Sequence, residues 1–230
     1  MTLEAYPYGA GATAVGAFFL DPDRLGRWGL TPDRIVLLPS GERVADAARL
    51  RQVRAEAPET ACVVEILDES DPGDLALLQQ SLLFPDSCVA SDAMPVIWPD
   101  GTVDSHEWPL PPGGTTHPRT AGTFARTIRM LVRESGRWSW LDAFRRCSYL
   151  PARVLDFVPA ARGKGHLGVG ADADIVVLDP GGLTDTATYL VPTSPSVGVR
   201  HLLVAGTPVV SDGRVLPDAY PGRPLRAEPE

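Results

Sequence analysis

The chain has few cysteines and no long apolar run, and each shortage excludes a class of protein. Its three cysteines, Cys62, Cys88 and Cys147, lie far apart and form no CxxC pair. They therefore provide no even disulfide framework and indicate a reducing compartment. No apolar segment approaches the length of a membrane span, and the N-terminus has no basic region followed by a long apolar stretch. We therefore expect a cytoplasmic protein.

A surplus of positive charge is also missing. The chain has 21 Lys and Arg against 29 Asp and Glu, a formal net charge of -8. Nucleic acids and anionic membranes are negatively charged, so neither is an expected partner. Arg126, Arg129 and Arg133 fall on one helix face, which we interpret as a solvated face. With 230 residues, 44% of them hydrophobic, the chain is expected to be globular with one large core or two modest ones.

Common catalytic signatures are missing as well. The segment "GKGHLG", residues 163–168, matches GxGxxG, but it precedes a predicted strand, whereas a dinucleotide site needs it between a strand and a helix. We interpret its glycines as turns. No GxSxG elbow indicates a serine hydrolase, and Cys88 lies in an apolar run where cysteines are more often inert than nucleophilic.

The four histidines form no metal-binding motif. His106, His117, His166 and His201 include neither HxH nor HExxH. A catalytic zinc normally takes three protein ligands. A site within this chain would need a remote combination such as Asp92 with His106 and His117, which no spacing supports.

The first ninety residues have the pattern of an α/β protein. The N-terminal segment predicts a short extended piece that becomes a Gly/Ala-rich turn after Tyr8. Residues 40–57 predict a surface helix and residues 61–67 a strand. Asp71 and Pro72 predict the start of a second helix, before the strand that contains Cys88. Strand, helix and strand in this order predict a parallel sheet with crossover helices.

The rest of the chain divides near residue 160. Residues 95–118 are rich in Pro, Gly and Trp, which favours an ordered functional loop. A helix follows, and Ser139 with Asp142 predicts a capping box for another. Beyond residue 160 the chain is β-branched with turn signals at Ala205-Gly206 and Asp212-Gly213, which predicts a separate β module. We therefore expect domains at residues 1–160 and 161–230.

Asp92 is the candidate catalytic residue. It lies in "SCVASDAMP", where a buried strand should end, and the carboxyl ends of such strands carry the chemistry of open sheets and barrels. The alternative is a carboxylate that caps the next turn or helix.

Several segments together resemble one family. "EAYPYGAGAT", "ASDAMP", "HPRTAGTFAR", "YLPARVL", "GHLGVGADADIVVLDP" and "GVRHLLVAGTPVVSDGRVLPDAYPGRPLR" resemble the C-terminal half of the N-acyl-D-amino-acid deacylases of the amidohydrolase superfamily. The opening segments are most similar to the N-acyl-D-glutamate deacylase branch. The resemblance implies about the last two strands of a (β/α) barrel with an inserted segment, followed by part of a small β-sandwich.

The resemblance also implies a chemistry and its residues. It implies zinc-dependent hydrolysis of an N-acyl amide on a D-amino acid. Asp92 matches the aspartate that touches the metal, takes a proton from water and delivers it to the leaving amine. Arg119 matches the arginine that clamps the substrate carboxylate, and Tyr6 matches a tyrosine that helps to hold it. Tyr6 could equally be a packed aromatic residue.

The chain also departs from that family. Ala12 stands where related deacylases often carry a serine that assists substrate binding, and the segment between Asp92 and His117 is longer than in the simplest members. The family's HxH pair, bridging ligand and two further histidines lie on barrel strands that this sequence does not contain. We therefore expect most zinc ligands to come from other polypeptide, with a chain that carries the N-terminal barrel half as a partner. The alternatives are a non-catalytic binding or regulatory remnant, and a homodimer metal site from Asp92, His106 and His117.

Overall fold

The N-terminal part builds two small sheets with different strand directions. The structure, a computed structural model, describes residues 3–38, 40–99, 107–108 and 110–226. Strand β1 (Glu4–Ala5) pairs in parallel with β5 (Cys88–Val89). Strands β2 (Ala10–Ala14), β3 (Ile35–Leu37) and β4 (Ala61–Glu65) form an antiparallel sheet in the order β2-β4-β3. We call residues 10–65 the insert.

Two predictions from the sequence are wrong for the insert. Residues 10–14 were expected to be a turn but form β2, and the strand predicted at residues 61–67 pairs antiparallel to β2 and β3. Glycine and alanine are poor strand formers in themselves. Here β2 pairs over its whole length with β4, whose Val63 and Val64 favour a strand, so the pairing partner overrides the local preference.

Four helical segments accompany these sheets. Helix α1 (Ala47–Glu56) lies within the insert, and α2 (Pro72–Leu83) connects the insert to β5. Helix α3 (Arg119–Ile128) continues as a π-helix over Arg129–Glu134. Helix α4 (Trp140–Phe144), a π-helical segment (Arg145–Tyr149) and α5 (Leu150–Val154) follow without a break.

The predicted helix starts are confirmed where their signals are local. The Asp71 side chain accepts the backbone N–H groups of Gly73 and Asp74, with Pro72 as the first helical residue. Ser139 and Asp142 form the reciprocal capping box. Each device satisfies N–H groups that a helix leaves unpaired at its N-terminus.

Two separate hydrophobic clusters stabilise these elements. One lies inside the insert and includes Leu20, Ile35 and Leu50, each with no exposed surface. The other joins α2, α3 and β5 through residues such as Leu82, Val89 and Leu131. The chain therefore has two modest cores, one of the two arrangements that its composition allows.

The C-terminal module is one antiparallel sheet. Strands β6 (Ile175–Leu178), β7 (Val199–Val204), β8 (Thr207–Ser211) and β9 (Arg214–Val215) pair in sequence order. Ala205-Gly206 and Asp212-Gly213 have positive φ at both positions, as the predicted tight hairpin turns require. No strand residue of this sheet is fully buried, although the strands are apolar. No helix within the described residues is long and apolar enough to span a membrane.

Candidate functional site

Asp92, Arg119 and Tyr6 lie together. The Asp92 Oδ2 atom is 2.8 Å from Nη2 of Arg119 in an ion pair. The Arg119 guanidinium carbon lies 4.8 Å from the centre of the Tyr6 ring, so the cation stacks on the aromatic face. The fold therefore brings three residues from distant parts of the chain into one group.

The parallel strand pair explains this meeting. Tyr6 directly follows β1, and Asp92 follows β5 by three residues, so both lie beyond the carboxyl ends of parallel neighbours. Ala90 donates its backbone N–H to Ala5 O at 3.1 Å, which extends this pairing toward Asp92. Asp92 itself has φ 46°, a left-handed conformation that aspartate tolerates better than most residues.

Arg119 is a buried cation with unused hydrogen-bonding capacity. It is the first residue of α3, and its side chain is 3% exposed. Its Nε and Nη1 atoms are buried and have no hydrogen-bond partner among the described residues. A guanidinium presents its donors as a planar fork that fits a carboxylate. Arg119 therefore keeps two buried nitrogens without a hydrogen-bond partner while it is paired with Asp92.

His117 accepts a hydrogen bond from the backbone of Arg119 and is not a metal ligand. The ring is completely buried; its Nδ1 accepts the backbone N–H of Arg119 at 3.0 Å, and Nε2 lies 3.1 Å from Ala10 O. Because Nδ1 is an acceptor, the proton must be on Nε2, which donates to Ala10. Burial, together with the nearby Arg119 charge, lowers the pKa of His117 to about 3. Both ring nitrogens are used, so the expectation that His117 could join Asp92 and His106 in a metal site is wrong; His106 lies outside the described residues.

A network of charges fixes the backbone that follows Tyr6. Arg126 donates from Nε to Pro7 O at 2.7 Å and forms an ion pair with Glu69. Glu69 in turn accepts the backbone N–H of Gly9 at 2.7 Å. The predicted solvated arginine face is therefore wrong for Arg126. It packs over the Tyr8 ring with its side chain 18% exposed, because it has carbonyl and carboxylate partners that the helix pattern alone does not reveal.

The other sequence candidates take structural roles. Gly165 of the "GKGHLG" segment has positive φ, as expected for a turn glycine. Cys88 is buried in β5, and burial raises the pKa of its thiol. A thiol with a raised pKa is a poor nucleophile at neutral pH.

The residues that the structure describes do not by themselves fit a zinc ion. Within the described ranges, no group of three or more His, Cys, Asp or Glu residues could hold a metal. Asp92 supplies one carboxylate, which is already paired with Arg119. A zinc site needs at least three protein ligands. Any site that includes Asp92 therefore needs ligands from elsewhere.

Sequence comparison connects the chain with amide hydrolases. Residues 111–210 match the family model described as the amidohydrolase family. An N-acyl-D-glutamate deacylase of Alcaligenes xylosoxydans xylosoxydans is 38% identical over 119 residues, which are 52% of this chain and 23% of that protein. A D-aminoacylase of the same organism is 30% identical over 217 residues, which are 91% of this chain and 38% of that protein.

Structural comparison matches the chain with the same two kinds of protein. The N-acyl-D-glutamate deacylase of Bordetella bronchiseptica, solved with zinc and a phosphonate inhibitor, matches with a TM-score of 0.66 and 30% identity. That match covers 98% of this chain and 42% of the other. A D-aminoacylase structure matches with the same TM-score at 24% identity. The resemblance inferred from the sequence motifs is therefore confirmed, and the chain spans less than half the length of these relatives.

Proposed function

We propose that this chain, which resembles the N-acyl-D-amino-acid deacylases of the amidohydrolases, is the substrate-holding and proton-transferring part of such a deacylase. The observation that supports this proposal is the group formed by Asp92, Arg119 and Tyr6. The Bordetella relative is named for N-acyl-D-glutamate, which makes that compound the first substrate to test.

Arg119 and Tyr6 hold the substrate by its carboxylate. The buried guanidinium has two unpaired N–H donors, and a carboxylate of an N-acyl amino acid supplies two acceptor oxygens. The Tyr6 ring beneath the guanidinium keeps its plane in position. Such a clamp places the amide bond of the substrate at a constant distance from the neighbouring carboxylate.

Asp92 moves the proton of the reaction. Hydrolysis adds the oxygen of water to the amide carbon and breaks the C–N bond, while a proton passes from water to the leaving nitrogen. The Asp92 carboxylate accepts that proton and then donates it to the amine. A general acid–base group of this kind contributes about 10²–10⁴-fold to the rate.

Other polypeptide completes the catalytic site. The chain corresponds to 38% of the D-aminoacylase relative, and its two parallel strands cannot close a barrel. We propose that residues 1–160 are the last part of a (β/α) barrel and residues 161–230 are part of a β-sandwich. The missing barrel strands, and the remaining zinc ligands that the relatives indicate, would come from a polypeptide equivalent to the rest of the relatives' length.

Reconstitution tests the proposal. The chain is co-expressed with a polypeptide that covers the rest of a relative's length, and the purified complex is assayed for zinc and for hydrolysis of N-acetyl-D-glutamate and its L-enantiomer. We expect zinc and D-selective hydrolysis, and loss of hydrolysis in the Asp92→Asn complex. A stable complex that has no zinc and hydrolyses neither enantiomer would contradict the proposal.

The second candidate function is a non-catalytic binding protein. It is favoured by the lack of a metal-binding group in the described part of the chain. It predicts that the chain alone is a monomer that melts cooperatively and binds an N-acyl amino acid without hydrolysing it in any complex. The reconstitution assay distinguishes the two candidates, since only the first expects turnover.

A further inference from the structure

The Arg119 guanidinium, which would bind the substrate carboxylate, is already paired with the Asp92 carboxylate. We propose that Asp92 is a latch on the carboxylate clamp. Without ligand Asp92 is the anion paired with Arg119, and an incoming substrate carboxylate displaces it and frees it for proton transfer. This inference rests on the proposed function and adds to it a coupling between substrate binding and release of the acid–base group.

The arginine is the fixed partner of the latch. Its backbone N–H is bound by His117 Nδ1, and its carbonyl accepts the Thr123 hydroxyl at 2.8 Å. Its guanidinium is buried against the Tyr6 ring. Moving this side chain would take a charge out of a packed site and leave backbone partners unpaired.

Asp92 is the mobile partner. Its side chain is 58% exposed, whereas that of Arg119 is 3% exposed. The backbone is held on both sides, by the hydrogen bond from Ala90 N to Ala5 O and by that from Met94 N to the Thr120 hydroxyl at 3.3 Å. The short segment between these anchors lets the carboxylate rotate into solvent without rearrangement of the fold.

The exchange leaves the buried cation unpaired for only a small part of the time. An isolated buried charge is unfavourable, so Arg119 stays paired with Asp92 most of the time until another anion replaces it. A substrate carboxylate replaces one anion by another and also reaches the unpaired Nε and Nη1 donors, which Asp92 leaves unused. The substrate therefore gains hydrogen bonds that the latch does not have.

The latch lowers the apparent affinity for carboxylates. When a site is blocked for most of the time, the apparent dissociation constant rises in inverse proportion to the open fraction. A latch that is closed nine times in ten weakens binding about tenfold. Removing the charge of Asp92 should therefore tighten carboxylate binding, which is the opposite of the usual effect of a mutation in a binding site.

The test is isothermal titration calorimetry of the 230-residue chain with N-acetyl-D-alanine, which measures the dissociation constant. We expect Asp92→Asn to bind it about tenfold more tightly than the unchanged chain. The matched control is Asp86→Asn, because Asp86 also has positive φ and an ion pair with an arginine, Arg145, at 2.7 Å. We expect this control to bind like the unchanged chain. N-acetyl-D-alaninamide, which has no carboxylate, should not distinguish Asp92→Asn from the unchanged chain.

The outcomes separate the latch from the proposed function. Equal or weaker carboxylate binding by Asp92→Asn, or an equal gain in Asp86→Asn, overturns the latch even if the reconstituted complex is an active deacylase. Tighter binding by Asp92→Asn alone supports the latch even if every reconstituted complex is inactive, a result that would contradict only the deacylase proposal.

Discussion

The Nδ1 atom of His117 accepts the backbone N–H of Arg119, which joins a neutral imidazole to the first residue of α3. Protonation of the ring would replace this acceptor with a donor that faces another donor. The ring also meets Tyr8 and Tyr189 edge-on, and the charges that act on it within the described residues are the cations Arg119 and Arg126. The fold around Arg119 therefore depends on an uncharged His117.

Acid should destabilise the chain well above the range in which carboxylates titrate. The pKa of His117 is about 3 in the folded chain and about 6.5 when unfolded. The unfolded state thus binds the extra proton first, and the free energy of unfolding falls as the pH decreases below about 6.5, by up to about 1.4 kcal/mol per pH unit. Urea unfolding at pH 7.5, 6 and 5 measures this slope.

Two variants identify the source of that slope. His117→Asn cannot titrate, and its amide oxygen can still accept the Arg119 N–H, so the slope between pH 7 and 5 should largely disappear. His166→Asn changes an exposed histidine and should keep the slope. If the unchanged chain and His117→Asn show the same pH dependence, the His117 assignment is wrong.

Gly122 should not tolerate even alanine. A Cβ atom at this position would overlap the Tyr8 hydroxyl oxygen, and that hydroxyl donates to Pro118 O. Alanine favours a helix by about 1 kcal/mol over glycine. Overpacking costs about 1–3 kcal/mol, so after the gain in helix propensity we expect Gly122→Ala to lower the unfolding free energy by up to about 2 kcal/mol.

Denaturant unfolding of four variants checks the cause. Gly26→Ala, where a Cβ would have no neighbour within 4 Å, should change stability by no more than about 0.5 kcal/mol. Adding Tyr8→Phe to Gly122→Ala removes the clashing oxygen, so the two effects should be less than additive. Simple additivity would show that the clash with the hydroxyl is not the cause.

Arg119→Lys should separate binding from chemistry in the reconstituted complex. Lysine keeps the charge but lacks the planar fork and the stacking on Tyr6. We expect the KM for N-acetyl-D-glutamate to rise about 10–100-fold, with kcat changed much less, since the lost contact holds the substrate in both ground and transition states. A fall in kcat with unchanged KM would contradict the clamp role.

The isolated chain should expose more apolar surface than its complex. Leu141, Phe157, Leu167, Val169 and Leu190 are each at least 71% exposed. Exposed apolar patches promote association, so we expect concentration-dependent self-association and strong binding of a hydrophobic dye such as ANS. Co-expression with the completing polypeptide should reduce both. A strictly monomeric chain without dye binding would favour the non-catalytic alternative.

The sequence predicted best those features that depend on near neighbours. The cap at Asp71, the capping box of Ser139 and the hairpin turns at Ala205-Gly206 and Asp212-Gly213 are all settled within a few residues. The strand β2 was missed, because its formation depends on pairing with β4, about fifty residues away in the chain. The direction of β4 was missed for the same reason.

The candidate site was predictable only through resemblance. Asp92 had a local signal, a carboxylate after a buried strand, but Tyr6 and Arg119 had none that spacing alone could supply. The structure brings all three together, while their catalytic roles stay predictions. His117 was considered only as one ligand of an alternative metal site, although its position two residues before Arg119, at a helix start with free N–H groups, is typical of a capping acceptor.

The pairing of β1 with β5 also determines when the site can form during synthesis. The strand of Glu4 has no pairing partner until Cys88 has left the ribosome. The insert between them has its own core and can fold earlier. Closing so long a loop is slow compared with forming local contacts. The nascent chain should therefore fold from the middle outward, and the meeting of its two distant strands is the late event that assembles the residues around Tyr6.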